Sequence, residues 1–158
     1  MRATTMTSRR LLLIVVVLGV VGALWSLFRP APSDADRIRA VVDHVVAGAE
    51  AADVGDVLAP VSESFRGSAR GHTFDKAGLR TVLAAQFLRR GPLFIVVGEI
   101  AVASEGDGAT ASFEAFMAES PDALTEILPI AADQWRFDVT LAREDGEWRL
   151  TGATGAPI

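Results

Sequence analysis

The chain has 158 residues, enough for one domain and an appendage. It has no cysteine, no tyrosine and only two histidines, His44 and His72; disulfides, a thiolate nucleophile and a His-rich metal cluster are excluded, and nothing calls for a metal or a cofactor. The net charge of −5 is uneven: residues 1–29 carry four arginines and no acid, while residues 30–158 hold 11 basic and 20 acidic side chains, a balance that repels a phosphate backbone and speaks against nucleic acid as a partner.

The first element is an apolar run, LLLIVVVLGVVGALWSLF, Leu11 to Phe28. At about 1.5 Å per residue it spans roughly 27 Å as a helix, close to the hydrocarbon thickness of a bilayer. Its Leu, Ile, Val and Phe residues contribute roughly −4 kcal/mol toward insertion. The run predicts a transmembrane helix over 11–28, with Trp25 at an interface and residues 1–10 as a cytoplasmic N-terminus. Arg9 and Arg10 before it orient the N-terminus inward, against the weaker pull of Arg29. The domain that follows is expected outside the inner membrane, in the periplasm or its equivalent. The rival reading is a cleaved secretory signal, for which an apolar core of more than about 15 residues is long. Arg9-Arg10 also resembles a twin-arginine signal, although the following segment is very apolar for one.

Residues 29–33, RPAPS, form a linker that two prolines hold extended. A domain over 34–158 follows. Ile38, Val41, Val42, Val45, Ala49 and Ala52 recur at helical spacing and predict a helix over 34–52, with His44 off the stripe. Asp53 is placed to cap a short helix ending at Leu58. The polar SESFRGSARGHTF stretch suits a short strand or hairpin. A helix is predicted from Asp75 to Arg90, with the stripe Leu79, Val82, Leu83 and Phe87, and Gly91-Pro92 stops it. Gln86 falls inside that stripe.

After Pro92 the apolar period changes from helical to alternating. Leu93 to Ser104 reads as one strand, and Ala109 to Glu119 as the next after an EGDGA turn. Ser120-Pro121-Asp122 starts a further helix carrying Leu124, Ile127 and Leu128. Two last strands flank a tight turn at Asp145-Gly146. Alternation places Phe113, Ala115, Met117, Trp135, Phe137, Val139, Leu141, Trp148 and Leu150 on the inner face. Glu114, Arg136, Asp138 and Arg149 fall on the other, as cross-strand charge pairs on a solvated or dimer-forming surface. The expected fold is α+β, with helices on one face of a curved antiparallel meander.

This order, together with IRAVVDHVVAGAEAADVGDVLAPVSESFRG and the closing DGEWRLTGA, resembles the nuclear transport factor 2-like (NTF2-like) superfamily, the cystatin-like cone fold that includes ketosteroid isomerase and polyketide cyclases. The resemblance implies a pocket between helices and sheet. Gln86, Phe113, Met117, Trp135, Phe137, Val139 and Trp148 are its candidate lining residues. Family enzymes that move protons place a carboxylate or histidine inside the cone, with an acid donor such as tyrosine. Here the inward strand positions bear no proton acceptor, and tyrosine is absent. Glu99, between apolar neighbours, is the candidate half-buried acid; Asp53 and Glu63 are weaker ones.

The layout of one span, a short linker and a cone domain resembles that of bitopic scaffolds in bacterial envelope machines. It implies a non-catalytic domain that dimerises, or docks an envelope protein, through the outer sheet face. The alternative is a binder of a small apolar ligand, or an isomerase, cyclase or dehydratase using the cone. The charges of the closing hairpin, Arg143, Glu144, Asp145, Glu147 and Arg149, read as its solvated rim.

Overall fold

A computed structural model describes residues 31–118 and 133–158. The apolar run Leu11–Phe28 and the helix expected after Ser120 lie outside the described residues. Among those described, no helix is long and apolar enough to cross a membrane. Three helices and seven strands are described: α1 (Asp34–Glu50), α2 (Val54–Leu58), β1 (Val61–Ala69), β2 (His72–Asp75), α3 (Lys76–Arg90), β3 (Phe94–Val97), β4 (Ala101–Glu105), β5 (Gly108–Ala118), β6 (Asp133–Glu144) and β7 (Glu147–Pro157).

The helices start where local chemistry satisfies their free N–H groups. Ser33 and Asp36 form a reciprocal capping box on α1. Asp53 Oδ1 accepts from Asp56 N–H at 3.0 Å on α2, and Asp75 Oδ1 from Gly78 N–H at 2.8 Å on α3. The α1 stripe is correctly placed, with Ile38 and Val42 buried and Val41 and Val45 packed beside them. The α3 stripe is placed in part: Leu79 and Leu83 pack against the core and Phe87 is half-buried, but Val82 is 54% exposed and no residue of that helix is fully buried.

The strands lie in the order β2-β1-β7-β6-β5-β3, with β4 also on β5. Two features depart from the expected antiparallel meander. First, β1 pairs parallel with β7, so the sheet is mixed. The SESFRGSARGHTF stretch supplies the hairpin β1–β2 that makes this possible. Second, the single strand expected over 93–104 is broken. Val97 faces Ala115 and Ala101 faces Ser112, so Gly98, Glu99 and Ile100 oppose only Phe113 and Glu114. That extra residue is a β-bulge, tied by Gly98 N–H to the Glu114 carbonyl at 2.8 Å.

A second bulge, at Thr151, keeps both halves of β7 in phase. Leu150 faces Leu141 before it, and Ala153 faces Val139 after it. The turn between β6 and β7 has positive φ at Asp145 (51°) and Gly146 (84°), the two-residue geometry that Asp-Gly favours.

The core joins Ile38, Leu58, Val61 and Phe65 to Ala111, Val139, Leu141, Trp148 and Leu150. Helix α1 packs mainly on β4, β7 and β3, and α3 on β1 and β2. Trp148 is 4% exposed at the junction of helix and sheet. Its replacement by alanine should cost about 3–5 kcal/mol, the usual loss for a buried aromatic. Denaturant unfolding of Trp148→Ala checks this; a change of a few tenths would mean the strand parity is inverted.

Candidate functional site

Alternation along β5 and β6 points Phe113, Trp135 and Phe137 to the same side as the buried Ala111, Val139 and Leu141. The rings form a nearly parallel series, with centroids 5.5 Å apart for Phe113–Phe137 and 6.1 Å for Trp135–Phe137. Gly155 of β7 leaves room for it: a Cβ there would meet Phe137 at 3.0 Å and Trp135 at 3.5 Å. All three rings stay half-buried. Arg70, from the turn between β1 and β2, places its guanidinium 4.9 Å from the Trp135 ring centroid.

The candidate residues separate into groups. Phe113, Trp135 and Phe137 come together as this aromatic floor. Val139 and Trp148 sit in the hydrophobic core. Met117, near the end of β5, and Gln86, on α3, are half-buried. Glu99 is exposed rather than half-buried, because the bulge lifts it out of the strand. Asp53 and Glu63 are exposed as well, one capping α2 and the other paired to Lys76 at 2.8 Å. Both histidines are exposed.

The closing hairpin departs most from its sequence reading. Asp145 and Glu147 are solvated, but Arg143, Glu144 and Arg149 are not a free rim. Arg143 Nη2 donates to Asp34 Oδ1 at 2.7 Å, at the first turn of α1, and its guanidinium lies 4.9 Å from the Trp148 ring centroid. Trp148 Nε1 donates to the same oxygen at 3.3 Å. Buried Ser62 Oγ donates to Glu144 Oε1 at 2.7 Å, and Arg149 Nη1 to the Ala59 carbonyl at 2.6 Å. These groups fasten the hairpin to α1, β1 and the end of α2.

The outer sheet face carries the charge pairs expected there, apart from Arg149. Arg136 Nη2 donates to Glu114 Oε1 at 2.6 Å, and Ser112 Oγ to Asp138 Oδ1 at 2.7 Å. Two shallow depressions indent this face. One, of about 340 Å³, lies among Glu99, Ser112, Glu114, Phe116 and Arg136. The other, of about 470 Å³, lies among Arg66, Thr110, Asp138, Thr140 and Thr154. Beyond them, Phe94 (38% exposed) and Val96 (50% exposed) lie on β3, with Val96 directly opposite Phe116.

Solved structures share the fold of this domain. An NTF2-like protein of unknown function from Pseudomonas putida is similar at a TM-score of 0.67 and 17% identity, over 80% of this chain and 89% of that one. An NTF2-like protein with a cystatin-like fold from Novosphingobium aromaticivorans gives 0.65 and 17%, over 88% of each chain. The domain has the NTF2-like cone fold. A provisionally assigned dehydratase of the NTF2-like family from Streptomyces avermitilis is similar at 0.66 and 11%, over 79% of this chain and 96% of that one. The sequence itself matches no family model and no curated relative. At such identities the likeness is one of fold, and the NTF2-like cone hosts unlike activities.

The Trp148 indole N–H does most to hold the Asp34 carboxyl below the usual carboxylate range; burial opposes it, and the Arg143 guanidinium adds to the lowering. The Arg136 guanidinium does the same for Glu114. A lowered folded-state pKa means that Asp34 contributes stability above its unfolded value, and that this contribution disappears as pH falls through the folded value. Asp34→Asn should therefore lower the denaturation midpoint at neutral pH, and the gap to the parent should close below about pH 4. A gap independent of pH would show that the Asp34 charge is not what holds the clamp.

Proposed function

We propose that the chain is a membrane-tethered, non-catalytic interaction module. Leu11–Phe28 is the anchor, residues 1–10 are cytoplasmic, and the cone domain lies outside the inner membrane. There the domain dimerises or docks an envelope protein through its outer sheet face. The observation that carries this reading is the exposed apolar group on β3 and β5. Phe94 and Val96 remain accessible beside Phe116, on the face opposite the core and next to the Glu114–Arg136 pair. Clustered aromatic and aliphatic side chains beside a paired arginine suit the centre of a protein contact. The non-catalytic part is supported by the inner face. Its described positions on β5 to β7 are mainly apolar; of the charged ones, Arg143 is held by Asp34, and Asp133, at the exposed start of β6, is paired with Arg90 at 3.8 Å.

A second reading, binding of a small apolar ligand, is favoured by the half-buried rings of Phe113, Trp135 and Phe137. An isomerase, cyclase or dehydratase activity would need a proton acceptor among these rings; the described carboxyl of inward parity, Asp133, lies at the exposed start of β6 and is paired with Arg90.

Two outcomes are expected. Val96→Glu should weaken the complex seen by native mass spectrometry of the mildly extracted full chain by roughly tenfold or more, because an unpaired charge would be buried in the contact. A parent chain that is already a bare monomer, or a complex indifferent to the change, would contradict the reading. A C-terminal reporter that works only in the cytoplasm should be inactive; activity would reverse the topology.

A further inference from the structure

The aromatic floor ends at a cation that has no counter-charge among the described residues. Arg70 is exposed, and its only described interaction is with the Trp135 ring; it has no carboxylate partner among the described residues. Acidic groups outnumber basic ones in this part of the chain, and Arg39, Lys76, Arg136 and Arg143 are each paired with one. The Arg70 backbone is in the left-handed region, with φ 49°, at the tip of the β1–β2 hairpin. The parallel pairing sets this tip beside the floor: Ala69 faces Gly155 of β7, and Gly155 faces Phe137 of β6. Phe113, Phe137, Trp135 and Arg70 therefore form a continuous series of contacts from β5 through β6 to the β1 turn, apolar at one end and cationic at the other.

We infer that this series is a binding site for an amphipathic monoanion, a carboxylate with a flat or hydrocarbon body. The inference rests on the apolar-ligand reading and names the ligand class. The half-buried rings offer the body apolar contact and stacking. The planar guanidinium of Arg70 offers two parallel N–H donors, which match a carboxylate. The one arginine at the cationic end of the floor matches one negative charge and disfavours a phosphate dianion.

The test uses the full chain in amphipol with three fluorescent probes of one body: pyrenebutyrate, pyrenebutanol and pyrenebutyl phosphate. Binding is read as probe anisotropy and as energy transfer from tryptophan. Pyrenebutyrate should bind roughly tenfold or more tighter than pyrenebutanol, the size of one charge-assisted hydrogen-bonded pair, and tighter than the phosphate. Arg70→Gln, at an exposed position, should reduce pyrenebutyrate to the affinity of the alcohol, and Arg70→Lys should restore part of the difference. Trp135→Ala should weaken both. Equal binding of acid and alcohol to the parent chain, or a preference that survives Arg70→Gln, overturns the monoanion while leaving an apolar site. Tighter binding of the phosphate overturns the charge assignment. Failure of all three probes overturns the inference together with the apolar-ligand reading beneath it.

Discussion

The parallel contact between β1 and β7 is the constraint on which the rest of the domain depends. Every other strand pairing is antiparallel, and most are made across short turns. The β1–β7 contact joins the helical first half to the last hairpin, across most of the domain. Closing so large a loop costs entropy that the local pairs do not meet, and it slows folding. Side chains supply the compensation at the same place: Ser62 to Glu144, Arg149 to Ala59, and Arg143 with Trp148 to Asp34. Three charges of VTLAREDGEWRLTGAT, Arg143, Glu144 and Arg149, which could pass for an active site, fasten one half of the fold to the other.

What the sequence disclosed follows the range of the forces involved. Asp53 as a cap, Asp75 as the start of a helix, Asp145-Gly146 as a turn, and the inward alternation of Phe113, Trp135 and Phe137 are local, so they were legible. The parallel pairing was not, because nothing near Val61–Ala69 marks a partner at the far end of the domain. Glu99 misled for a related reason: the bulge that exposes it is visible only once Ala101 and Val97 are registered against β5. Arg143 was misread through its charge. Two residues beyond Leu141, it has inward parity, and its long stem lets the guanidinium reach Asp34 from there. Of the candidate site, the three rings were legible and Arg70 was not, since its approach to Trp135 depends on the same parallel contact.

The two sheet faces divide the functional possibilities. Clamps and a packed core occupy the helix side, and the aromatic floor is the part of it that keeps accessible surface. The outer side combines satisfied charge pairs with apolar groups on β3 and the adjoining part of β5. Edge strand β3 is short, and its Ile95 N–H is bound by Glu50 Oε1 at 3.1 Å, which blunts strand addition at that position. A partner would thus meet the side chains of Phe94, Val96 and Phe116 rather than extend the sheet.

Hydrogen–deuterium exchange of the full chain, compared between native membranes and a monomeric detergent extract, tests the outer-face contact most directly. Amides of residues 94–97 and 114–118 should exchange more slowly in the membrane, with the exposed side of α1 around His44 unchanged. Identical exchange at β3 and β5 in both states, or protection confined to α1, would contradict it.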